Sequence, residues 1–361
     1  MNKALVFRLY SDEAQKILLA KTFGCCRFVY NRMLEEKMGQ GPDVSSSRRI
    51  TPAKYKAEHE WLKEVDSLAL ANEQLSLESA FRNYFRGGGF GYPKYKSKRD
   101  GRNSYTTNLV NGNIALADGK LRLPKLGKVS VRQHRLIPDG YRLKSVTVSL
   151  RPSGGYYASM LYEYEAEIEP VEPVNVLGLD YSMGELYVDS ESRTPQYPRP
   201  YRAAQAKLAR ERRKLSGRKA GGKNYIKQKR KVARIHERAA NQRKDFLHKQ
   251  SRLIAKAYDA VCVEDLDMRG MAGGKGFGKG VSDNGWGAFR RMLSYKLEEG
   301  GKRLVVVDKW FPSSKKCSAC GRVKEGLHIS VRTFSCECGF VIDRDTNAAI
   351  NIRNEGMRQL V

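Results

Sequence analysis

The chain has 361 residues, 40% of them apolar, enough for two or three domains with buried cores. Its 67 Lys/Arg against 39 Asp/Glu leave a net charge of +28, which favours a polyanionic partner because neutralised phosphates release counterions. No apolar run approaches a membrane span, and the opening residues Met1 to Val6 do not read as a signal peptide, so a soluble, cytosolic, nucleic-acid-binding protein is expected.

Residues 3–10 alternate as a strand. Ser11 ahead of Glu13 starts a helix that Leu18, Leu19, Phe23, Phe28 and Leu34 carry to about residue 38, and Leu70, Leu75, Leu77, Phe81 and Phe85 space a second over 67–86. Gly87 to Pro93 breaks the chain. The stretch from Tyr92 then interleaves aromatic and basic residues, with Lys94, Lys96, Lys98 and Arg99 suited to stacking plus phosphate contact, although an exposed basic loop has the same pattern. From Asn103 to about Glu167 short alternating runs, among them Ser145–Leu150 and Tyr156–Tyr162, predict a small β-barrel.

Pro170 and Pro173 mark the main boundary. An apolar run from Val174 predicts a strand ending at Asp180, a turn at 182–184 and a second strand over 185–188. Residues 202–249 hold 18 Lys/Arg against 3 Asp/Glu, a net +15, in two arms of a helical hairpin about Gly217–Gly222. Such an excess needs a nearby anion, and Arg212, Arg213, Lys214, Lys229, Arg230 and Arg234 are its candidate phosphate contacts. A strand Ala260–Val263 leads to Glu264. The Gly-rich stretch 273–280 lacks the Ser/Thr that would close a P-loop and reads as a mobile loop. A helix from Trp286, a strand over 303–307, a cysteine segment and a helix from Asp345 complete the chain.

Asp180, Glu264 and Asp345 are the candidate catalytic carboxylates, two at strand ends and one on a terminal helix, in the order of an RNase H-like mixed sheet. Clustered oxygens bind hard cations, and two such metals could activate water and stabilise a leaving phosphodiester oxygen. Asp343 competes with Asp345. Helical spacing favours the latter, which shares a stripe with Ala348, Ala349 and Ile352. Cys317-x-x-Cys320 and Cys336-x-Cys338, 15 residues apart and each followed by glycine, match a structural zinc ribbon. The second pair is one residue tighter than usual, and His328 is the alternative fourth ligand.

With these residues in place the chain resembles TnpB, the transposon-encoded RNA-guided DNA nucleases. The likeness runs through Phe7-Arg-Leu-Tyr10, Phe28-Val-Tyr-Asn31, Tyr92-Pro-Lys-Tyr-Lys96, Gly178-Leu-Asp180, Asn241–His248, Glu264-Asp-Leu266, Phe311-Pro-Ser-Ser314 and Asp343-Arg-Asp345-x-Asn347-Ala-Ala349. The resemblance implies an α+β multidomain chain. Residues 1–10 and 103–170 would form a wedge-like β-barrel around an inserted helical recognition domain, 11–102. A RuvC-like nuclease would occupy 171–310 with the basic hairpin at 202–249, a zinc ribbon 311–341, and a last RuvC helix and tail 342–361. It also implies two catalytic Mg²⁺ and one structural Zn²⁺. One chain would hold one guide RNA copied from the transposon end and cut double-stranded DNA beside a short flanking motif, in the prokaryotic cytoplasm at the nucleoid. Rival readings are a nuclease-silent RNA-guided DNA-binding regulator, a transposase acting without RNA, and a basic RNA-binding scaffold.

Overall fold

The computed structural model describes residues 1–39, 50–87, 89–98, 103–273, 278–328 and 330–360, and it divides into two units, Met1–Ala166 and Glu167–Val361. In the first, β1 (Asn2–Tyr10) alternates strictly, turning Leu5, Phe7 and Leu9 inward. Helix α1 (Glu13–Gly39) follows, then α2 (Pro52–Glu58), a 3-10 turn at Glu60–Glu64 and α3 (Ser67–Arg86), whose first turn is capped by Asp66. Residues 52–64 lack a helical period long enough to predict. Pro52 presets the first turn, and burial of Tyr55 and Leu62 holds the segment.

Strands β2 (Asn103–Asn108), β3 (Ala115–Ala117), β4 (Lys120–Leu123), β5 (Gly127–Arg132), β6 (Arg142–Leu150) and β7 (Tyr156–Glu163) join β1 in one antiparallel sheet, ordered β2-β6-β7-β1-β5-β4-β3. β1 is the shared strand, pairing with β7 along Asn2–Leu9 and with β5 at Arg8–Tyr10. Its inner face meets Val129, Val146, Val148 and Met160, with Phe23, Met33, Leu70 and Leu77 of the helices in the same core. Among the described residues no ladder joins β2 to β3.

The second unit carries β8 (Val176–Ser182), β9 (Leu186–Asp189), α4 (Pro200–Ser216), α5 (Lys223–Ala257), β10 (Ala260–Glu264), α6 (Met268–Gly273), α7 (Gly278–Asn284), α8 (Trp286–Glu298), β11 (Arg303–Val307), β12 (Thr333–Ser335), β13 (Val341–Asp343) and α9 (Arg344–Arg358). Its main sheet runs β11-β10-β8-β9, with β11, β10 and β8 parallel and β9 an antiparallel edge. The strand expected to stop at Asp180 continues to Ser182, because β9 pairs with it as far as Ser182 and Leu186 while the parallel ladder to β10 ends at Leu179. Residues 274–277 of the expected Gly-rich loop lie outside the described residues, and Gly278 opens α7 instead of continuing a loop.

Alternation divides the two faces of this sheet. Leu177, Leu179, Val261 and Val263 pack with Leu247, Ile254, Trp286, Phe289, Leu293 and Leu297 of α5 and α8. On the other face, Cys262 and Val307 pack with Ile352 of α9. That helix lies unusually close. A Cβ on Gly178 would sit 2.0 Å from the Ala349 carbonyl oxygen, and one on Gly356 would sit 2.2 Å from Cys262 Sγ. Both glycines answer a need for close approach, since neither has a positive φ.

Gly178→Ala is therefore expected to destabilise the protein by about 1–3 kcal/mol through overpacking, seen as a lower midpoint in urea unfolding. A midpoint equal to wild type would show that α9 is not seated on β8.

Candidate metal centres

The register of β8 and β10 sets Gly178 opposite Cys262 and Leu179 opposite Val263. Asp180 and Glu264 are the next residues, side by side just past the parallel ladder. Period-two alternation places both on the face that α9 covers. Asp345 lies in the first turn of α9, while Asp343 is its N-cap, accepting from the Thr346 N–H at 2.9 Å. The same fold that brings α9 onto Gly178 thus carries Asp345 towards the two strand carboxylates.

The electrostatics record that convergence. Burial raises the Asp180 pKa well above the usual carboxylate range, and the charges of Asp345 and Glu264 raise it further; Arg344 and the Tyr181 N–H offset only part. Burial pushes Glu264 up to about 7. Asp345 is partly neutralised by Arg344 at 3.0 Å and Arg332 at 3.5 Å. Carboxylates crowded so that they hold protons are what a divalent cation relieves, and an all-oxygen donor set suits Mg²⁺. The three acids do not converge on one point as tightly as the thiols described below.

Sequence reasoning missed the clamps around Asp180. Asn284, nearly fully buried, donates from Nδ2 to the Ser182 carbonyl at 2.8 Å, and Arg199 Nε donates to the Gly184 carbonyl at 2.9 Å, fixing the β8–β9 turn. Asp283, buried beside it, accepts from the backbone N–H groups of Tyr201 and Arg202 at the start of α4. Only their burial and partners reveal them; a lone Asp-Asn pair has no telling period.

Cys317, Cys320, Cys336 and Cys338 bring their sulfurs within 4.8 Å of one another, with Cys317–Cys338 at 3.8 Å and Cys320–Cys336 at 3.6 Å. A tetrahedron with zinc–sulfur bonds of about 2.3 Å has edges near 3.8 Å, so the cluster fits a four-thiolate site. The tight Cys336-x-Cys338 pair closes because Gly339, at φ 86°, turns the chain back to the Cys336 carbonyl. His328 is exposed and bonded to Ser330, outside this cluster. Burial works against the Cys317 thiolate, yet N–H groups of Cys320 and Ala319 and the neighbouring thiols bring its pKa down to about 7. Two buried asparagines of α9 hold the approach to the cluster. Asn347 donates to the Lys316 carbonyl at 2.7 Å and accepts from the Ser318 N–H, while Asn351 donates to the carbonyls of Ser313 and Lys316. The helix that carries Asp345 therefore also anchors the thiols.

Of the candidate nucleic-acid contacts, Arg212, Arg213, Lys214, Lys229, Arg230 and Arg234 are all exposed on α4 and α5. Arg230 and Arg234 join Lys223 and Lys227 along one groove of about 420 Å³. In the first unit Lys94 and Lys98 are exposed, and Arg99 lies outside the described residues. Lys96 instead pairs with buried Glu73 and lies 4.1 Å from the Tyr30 ring centroid, so its ammonium is already engaged.

A family model described as "Probable transposase" matches residues 159–274, one described as "Cas12f1-like, TNB domain" matches 286–352, and one described as "Helix-turn-helix domain" matches 1–40. That last stretch is a strand and one continuous helix, β1 and α1. The chain is 36% identical to a protein of Streptomyces pristinaespiralis named "Putative RNA-guided DNA endonuclease", across 99% of this chain and 90% of that one. It is 30% identical to "Putative RNA-guided DNA endonuclease InsQ" of Escherichia coli, across 98% and 92%. Among solved structures, the protein of a Cas12f1–sgRNA–target DNA complex shares its fold at a TM-score of 0.58 and 12% identity, over 98% of this chain and 99% of that one.

Metal analysis of the purified protein is expected to find one zinc per chain. Cys320→Ser should lose that metal and lower the melting temperature, since four-thiolate sites add folding free energy directly. Full zinc occupancy in the variant would remove Cys320 from the ligand set.

Proposed function

Because the chain belongs to the TnpB family, we propose that it is an RNA-guided, Mg²⁺-dependent DNA endonuclease of the RuvC type, cutting DNA matched to its guide beside a short flanking motif. One observation supports this above the others: β8, β10 and the first turn of α9 put Glu264 and Asp345 within electrostatic range of Asp180, past the end of the parallel ladder of a mixed sheet. In this reading the second unit is the nuclease with its zinc ribbon, and the antiparallel sheet and helices of the first unit are the wedge and recognition parts. The guide is copied from the transposon end, and one chain holds one guide.

Within the centre, Asp180 and Glu264 are held by a rigid parallel ladder. Asp345 is held by a capped helix seated on that ladder, so all three carboxylates stand on rigid elements. Two Mg²⁺, when bound there, supply activation of a water and stabilisation of the departing 3′ oxygen. Arg344 and Arg332 pair with Asp345 beside them. The exposed cations of α4 and α5 take up phosphates and contribute affinity without reading sequence, which guide pairing does.

Asp180→Ala is expected to abolish cleavage of a guide-matched plasmid while guide RNA still copurifies. Equal cutting by the variant would end the catalytic assignment, and cutting that survives ribonuclease treatment of the wild type would favour an RNA-independent transposase.

The raised carboxylates give a pH dependence of known sign. With its folded pKa above the unfolded one, Glu264 keeps its proton up to about pH 7, and Mg²⁺ must displace it. Mg²⁺ affinity should rise with pH, by up to about tenfold per unit, and level off above pH 7. Calorimetric titration in buffers of different ionisation heat checks the proton release; a pH-independent affinity would contradict it.

A further inference from the structure

We propose that Trp310, with Lys309 behind it, is a stacking site for one unpaired nucleobase of the DNA strand at the carboxylate centre. Trp310 is 81% exposed, against 1% for Trp286 and 43% for Trp61. The turn that presents it is built, not loose. Asp308 Oδ1 accepts from the Trp310 N–H at 2.7 Å, the Asp308 carbonyl accepts from Phe311 at 3.0 Å, and the Phe311 carbonyl accepts from Ser313 at 2.7 Å. Phe311 packs against Cys262, Val307 and Ile352, which anchors the turn to the sheet and leaves the neighbouring indole turned to solvent.

Position ties this ring to the cutting centre. β11 ends at Val307, paired in register with Glu264, and the Asp265 N–H donates to the Val307 carbonyl at 3.0 Å. Three residues of chain reach at most about 11 Å, and adjacent strands lie about 4.8 Å apart. The Trp310 backbone is therefore within about 16 Å of that of Glu264, a span of a few nucleotides.

Chemistry selects the ligand. Lys309 Nζ lies 5.0 Å from the indole centroid, a cation that covers one ring face and reaches for a phosphate while the rest of the ring stays open. An exposed aromatic beside a cation is the pairing that takes single-stranded nucleic acid by stacking and backbone contact. Bases inside a duplex already have both faces stacked, so the site takes only a base freed from pairing.

This inference rests on the nuclease reading for its setting, and the experiment separates the two. Tryptophan emission of the full-length protein carrying Trp61→Phe is titrated, without Mg²⁺, with an eight-nucleotide oligothymidylate and with an abasic octamer of equal charge. Quenching by the first and not the second supports stacking, and Trp310→Ala should remove it. With the guide-loaded protein and a matched DNA, Trp310→Ala should raise KM roughly tenfold with kcat nearly unchanged, and Trp310→Phe should restore most of the loss. Equal quenching by the abasic octamer, or an unchanged KM in Trp310→Ala while Asp180→Ala abolishes cutting, overturns the stacking site alone. Base-dependent quenching in a protein that never cuts DNA would keep the stacking site and defeat the nuclease reading.

Discussion

The second unit depends on how close α9 can come to its sheet. Gly178 on β8 and Gly356 on α9 leave no room for even one carbon, with the Ala349 carbonyl and the Cys262 sulfur standing where a Cβ would be. Alternation then does the rest. The residues flanking Leu177 and Leu179 face the helix, so the position after the buried run, Asp180, emerges on the same side as Gly178, and Glu264, two residues beyond Cys262 on β10, emerges beside it. A helix lifted by one methyl group would shift Asp345 relative to both, and positional errors near 1 Å are costly in catalysis.

That closeness concentrates negative charge in a partly buried place, which opposes folding. Burial raises the pKa values of Asp180 and Glu264, and Asp345 engages two arginines. Residues arranged for function in this way commonly lower stability, and the surrounding structure must offset the cost. Here the offset has visible sources. Asn284 and Arg199 fasten the β8–β9 turn, and Asn347 and Asn351 tie α9 to the segment leading into the thiol cluster. A metal in that cluster would stiffen the carboxylate helix without taking part in its chemistry.

Sequence alone carried the backbone of this arrangement because its strongest signals are periodic. Buried parallel strands read as short apolar runs, and those at 260–263 and 303–307 lie wholly in the four-stranded sheet, while the run from Val174 enters it at Val176. The first acid past each of the first two runs, and the helix that shares a stripe of alanines with Asp345, could be picked out for the same reason. What the sequence hid is pairwise. The extension of β8 to Ser182 depends on its partner β9. The engagement of Lys96 depends on Glu73, 23 residues away on α3, and nothing in the run Tyr92–Lys98 distinguishes that lysine from Lys94. The short helix at 52–58 has too few turns to show a period and forms because Tyr55 and Leu62 find a core. The asparagines of α9 look like solvent-facing residues until their partners appear.

The distribution of basic residues follows a related logic. Lysines that carry structure are matched with carboxylates, as Lys96 is with Glu73, whereas the α4–α5 hairpin holds 18 cations against 3 acids. One of those acids, Glu211, is buried between the arms. Hydrogen bonds from Gln228 and Lys231 hold its pKa down to about 2, and Arg210 and Lys214 stand close by. A single anion placed inside the hairpin fastens the two helices while leaving the outer cations unbalanced. Had Glu211 instead sat on the outer surface, as Asp245 does in its i,i+4 pair with Lys249, it would have neutralised part of the face that phosphates need. Placing the counter-charge inside keeps the hairpin folded and its surface open to a polyanion.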